Sequence, residues 1–78
     1  MQEQNFNELA GRIEGLARVV RCLVATLEDE QLIDGSRYGE SLRRDGQPHQ
    51  GDGVMLVRAR KVLRDIADQL ETARNLRQ

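Results

Sequence analysis

Apolar side chains recur at steps of three and four residues from Phe6 through Leu9, Ile13, Leu16, Val20 and Leu23 to Leu27. The same spacing returns from Leu56 through Ala59, Leu63, Ile66 and Leu70 to Ala73. On a helix each series forms a single stripe, and such a stripe leaves water only by packing against another helix. The chain is therefore expected to be all-α, with two long antiparallel amphipathic helices facing each other across these stripes. Leu16 and Leu63 are expected to lie inside them.

The first helix is expected over residues 5–28, with Asn5 or Asn7 as its cap and Glu8 near its positive pole. The second is expected over 54–76, behind Asp52 as cap, with Arg74 and Arg77 suited to its negative end. Between them, residues 29–53 lose the periodicity and turn to Gly, Asp, Gln and Arg. Leu32, Ile33, Tyr38 and Leu42 are spaced for a short helix over 37–44, capped by Asp34 or Ser36 and ending near Gly46. The segment from Asp45 to Gly53, with its single proline, has the residues of an exposed loop. A connector of roughly 24 residues is longer than a helical hairpin requires.

At 78 residues the chain makes one domain, 1–78. Only Phe6 and Tyr38 are aromatic, so the core must come from Leu, Ile, Val and Ala, and a core of that size is marginal without reinforcement. Cys22 is the only cysteine and His49 the only histidine, which removes an internal disulfide and a Cys/His zinc site. Association is the remaining support. Beside the main stripe of the first helix runs a weaker one, Gly15, Val19, Cys22 and Thr26, and two adjacent stripes suit a helix buried on two sides. A homodimer forming a four-helix bundle is expected, with that second stripe as its interface. Gly11 and Gly15 each cost about 1 kcal/mol inside a helix, and a close approach by another backbone would explain them.

No constellation suited to catalysis is present. His49 stands in a polar loop without a nearby nucleophile, and Cys22 lies in an apolar helical stretch that suits an inert thiol. The acidic group Glu28, Asp29, Glu30 and Asp34 lacks the ligand order of a calcium loop. No enzyme activity, metal or cofactor is expected. Residues 1–8 carry no signal pattern and no apolar run approaches the length of a membrane span, so a cytoplasmic protein without a membrane partner is expected. Twelve Lys and Arg balance thirteen Asp and Glu, so no global field attracts nucleic acid.

The expected role is that of a non-enzymatic protein-interaction module, a small regulator, adaptor or inhibitor that binds another protein. The connector would present Tyr38, Leu42, Arg43 and Arg44, because Tyr and Arg are frequent interface anchors. The alternative is a bundle that binds a nucleotide or nucleic acid through Ser36, Arg37, Arg43, Arg44, Arg58 and Lys61. A hydroxyl and clustered cations suit phosphate, and the Tyr38 ring could stack on a base.

Overall fold

A computed structural model describes residues 2–77 as three helices, α1 over Gln2–Asp29, α2 over Gly35–Asp45 and α3 over Val54–Arg77. The all-α class, the two long helices and the short helix between them agree with the periodicity. Helix α1 begins earlier than Asn5 because Gln2, Glu3 and Gln4 are good helix formers and Glu3 places negative charge in the first turn.

The end of α1 is closed by a Schellman motif. The amide of Gln31 donates to the Glu28 carbonyl at 2.9 Å and that of Leu32 to the Leu27 carbonyl at 2.9 Å. Gln31 adopts φ 60°, the left-handed conformation that glycine usually supplies, which is why no glycine signals this helix end in the sequence. At the start of α2, the Asp34 carboxylate accepts from the amides of Ser36 and Arg37 at 3.1 and 3.2 Å, so of the two expected caps, Asp34 and Ser36, it is Asp34 that closes the helix. Asp52 does not cap α3. Its carboxylate accepts from the His49 amide at 3.1 Å and from Arg60 Nε at 2.7 Å, so it closes the loop and ties it to α3 further along.

The expectation of antiparallel long helices is overturned. Ile13 lies beside Val62, Arg21 donates to Gln69, and Glu28 meets Arg74, so α1 and α3 advance in the same direction. Helix α2 is the one that runs back: Ser36 lies level with Arg74 and Asn75, Arg43 with Asp68, and Gly46 with Arg64 and Arg60. The reason lies in the connector. Each short link between packed helices reverses the chain, and a helix inside the connector adds a second reversal.

Helix α2 packs chiefly on α3, through a face where Gly35, Gly39 and Gly46 are all buried. At Gly46 a Cβ would stand 2.7 Å from the Arg64 Cγ and 2.8 Å from the Arg60 carbonyl oxygen, so only glycine allows this approach. Gly35 likewise leaves its space to the carboxylate of Glu28. Val24, Ala67 and Leu70 are the buried apolar residues among those described, and they mark where the three helices converge. The principal extents of 44, 33 and 19 Å fit an open, flattened arrangement.

Candidate interaction surface

Helix α1 touches α3 with an edge of its apolar stripe. At about 100° per residue, Ala17, Val24 and Glu28 lie on one line with Ile13 and Val20 at its margin, while Leu9, Leu16 and Leu23 turn well away from it. The burial pattern follows this geometry: Val24 is buried, Ala17 half-buried, and Leu16 is 65% exposed. Leu16 is thus not inside the chain's own core as its position in the stripe suggested, whereas Leu63 is half-buried. Phe6, Leu9 and Leu23 are exposed as well, and so are Val54, Met55, Leu56 and Val57 at the start of α3. Where the two helices begin to separate, Ile13, Leu16, Ala17, Val20, Val62 and Ile66 line an apolar groove of about 230 Å³.

The second stripe is also exposed. Gly15, Val19, Cys22 and Thr26 all face outward, and Thr26 donates its hydroxyl to the Cys22 carbonyl at 2.9 Å. Nothing lies within 4 Å of a Cβ built on Gly11 or Gly15, so no part of this chain makes use of the missing side chains.

The connector residues are brought together in part. Tyr38 and Arg44 are exposed on α2, and Arg44 donates to the Ser41 hydroxyl at 3.1 Å. Leu42 is half-buried. Arg43 donates to Asp68 and to Glu71, at 2.9 Å in each case, and these carboxylates, Asp68 foremost, raise its pKa above the ordinary guanidinium value. Ser36 and Arg43 share a polar cleft of about 390 Å³ between α2 and α3 with Glu40, Glu71 and Arg74.

The six residues of the phosphate alternative do not converge. Ser36 lies level with Arg74 and Asn75, whereas Lys61 is thirteen residues earlier on α3, a rise of roughly 20 Å along the axis. Lys61 pairs with Asp65 at 2.8 Å, and no ion pair among the described residues engages Arg37, Arg44 or Arg58. Arg60 is held by Asp52 and by the Asp45 carbonyl, each at 2.7 Å, and Arg64 donates to the Gly46 carbonyl. These cations fasten the connector to α3.

The acidic group at the end of α1 has a similar structural use. Glu28, with its side chain 13% exposed, accepts from Arg74 Nε at 3.0 Å and lies 3.6 Å from Arg77. Glu28 accordingly raises the Arg74 pKa, and Asp34 is occupied as a cap. Among the described residues no group of three or more His, Cys, Asp or Glu could hold a metal ion, and no helix is long and apolar enough to cross a membrane.

Sequence reasoning singled out the apolar residues of α1 but assigned them to the chain's interior. What it missed was how few of them the chain covers. The signal was present at Ala17 and Val24, apolar residues flanking the stripe on one side, where α3 approaches and leaves the other side open. The chain matches no known family model, and comparison with curated proteins and with solved structures gives no match.

Proposed function

We propose that the chain is a non-enzymatic protein-interaction module that works by helix-on-helix packing, a small regulator, adaptor or inhibitor whose partners are amphipathic helices, a second copy of itself among them. The observation that carries this reading is the uncovered seam of α1, where Phe6, Leu9, Leu16 and Leu23 lie in water at heptad spacing. An exposed row of this kind is costly to keep wet and is the pattern that a facing helix fills. Tyr38 and Arg44 of α2 lie outside the seam and offer a secondary contact.

The test compares capture of a protein partner by tagged chains. Changing Leu9→Glu together with Leu16→Lys should abolish capture, while Tyr38→Ala with Arg44→Gln should weaken it far less. These residues are exposed, so circular dichroism should show the helices kept. A partner that still binds the double seam variant would sink the reading.

A further inference from the structure

Resting on that reading of the seam, we infer that the helix seated on it when the chain is alone in solution is that of a second copy, so that the uncovered apolar face of α1 and the start of α3 is a homodimer interface. Three observations select this occupant. The first is area. The chain exposes 6429 Å², whereas a folded monomer of 8.9 kDa is expected to expose about 4,800 Å², an excess of roughly 1,600 Å². Removing that excess from each of two copies buries about 3,200 Å² in total, within the range of obligate homodimers.

The second is the size of the interior. With Val24, Ala67 and Leu70 as the buried apolar residues among those described, the core is too small for a domain of this length to stand alone. A copy of the same chain is the one partner present wherever the protein is.

The third is charge. Of the positions that flank the heptad seam of α1, Ala10, Ala17 and Val24 lie on the side that α3 takes; on the open side stand Asn5, Arg12, Val19 and Thr26, and of these Arg12 alone is charged. It pairs with Glu8 of its own helix at 2.7 Å. Two identical seams therefore meet without the like-charge row that would keep them apart, and a two-fold axis makes the contact self-complementary. The interface lies on the main stripe, with Gly15, Cys22 and Thr26 turned away from its centre.

Sedimentation equilibrium of the purified chain across about 1 to 100 µM tests this. Twice the chain mass is expected for the wild type, with a dissociation constant raised at least about tenfold by Leu9→Glu with Leu16→Lys. Because a separated chain could lose helicity, a second variant, Gly15→Lys, places the charge on an exposed position about 100° round α1 from Leu16 and should leave the dimer mass unchanged. A wild type that stays monomeric at 100 µM overturns the inference. If such a monomer still captures a different protein through the seam, the proposed function survives without self-association; if it captures none, both fall. A dimer that persists in the double seam variant, or is lost in Gly15→Lys while helicity is kept, also overturns it.

Discussion

Gly39 inside α2 and Gly46 at its C-cap show how differently the same residue is used about two turns apart. Gly46 has φ −82°, a conformation open to any residue, so its requirement is space: a Cβ there would meet the Arg64 side chain and the Arg60 backbone. The side chain can shift, but the carbonyl belongs to a helix. Gly39 is buried too, yet a Cβ there meets nothing nearer than a terminal nitrogen of Arg43 at 3.8 Å. Gly46→Ala is expected to destabilise the chain by about 1 to 3 kcal/mol through overpacking. Gly39→Ala is expected to be neutral or to stabilise by up to about 1 kcal/mol, because alanine is the better helix former. Urea denaturation of the two variants beside the wild type checks both signs; equal midpoints for the two would show that α2 is not held against α3 in this way.

Among the elements, α1 carries the largest mismatch between apolar content and coverage. Its glycines decide which side a partner occupies. If the main stripe is the contact, Gly11 and Gly15 remain in water, and Gly15→Ala should raise stability by about 1 kcal/mol, read as a higher melting temperature. A fall would place a close neighbour on the second stripe. Periodicity made the length and type of α1 and α3 legible, and Asp34 marked the start of α2 through its capping chemistry. Direction was not legible, because it depends on whether the residues around Tyr38 count as a loop or as a third crossing. The contact that Gly35 and Gly39 make with neighbouring elements was not legible either, since composition alone does not distinguish a glycine that bends a chain from one that admits a neighbouring helix. The candidate surface was legible as a set of residues and illegible as a surface: apolar spacing says what must be covered, not by which chain.

At the scale of the whole molecule, a thin interior is supplemented by ion pairs that hold α1 to α3 at one end and the connecting loop to α3 at the other. Glu28 joins α1 to Arg74 and Arg77 of α3, and at the other end Asp52, with its side chain 8% exposed, joins the loop to Arg60. The Arg60 hydrogen bond, helped by the His49 amide, holds the Asp52 carboxyl below its usual pKa, and Arg18 with Arg21 does the same for Glu14. Since both pKa values are depressed by folding, the unfolded chain binds protons first as the solution is acidified. Their stabilisation is complete above the ordinary carboxylate range and is lost as the pH falls below about 4 toward the folded values. The melting temperature should therefore drop between about pH 4 and pH 2, and Asp52→Asn should make that drop shallower while lowering the melting temperature at pH 7. An acid limb identical in Asp52→Asn and wild type would show that this carboxylate does not contribute.

The parallel course of α1 and α3 has a topological consequence. An odd number of crossings sends the two described ends of the chain to opposite poles, about the length of α1 apart, roughly 40 Å at 1.5 Å per residue. Circular permutation, easy where termini are neighbours, would here need a linker of at least about a dozen extended residues. Conversely, modules fused in series through this chain would be held apart by it as by a short strut, one at the splayed mouth and the other at the clamped end.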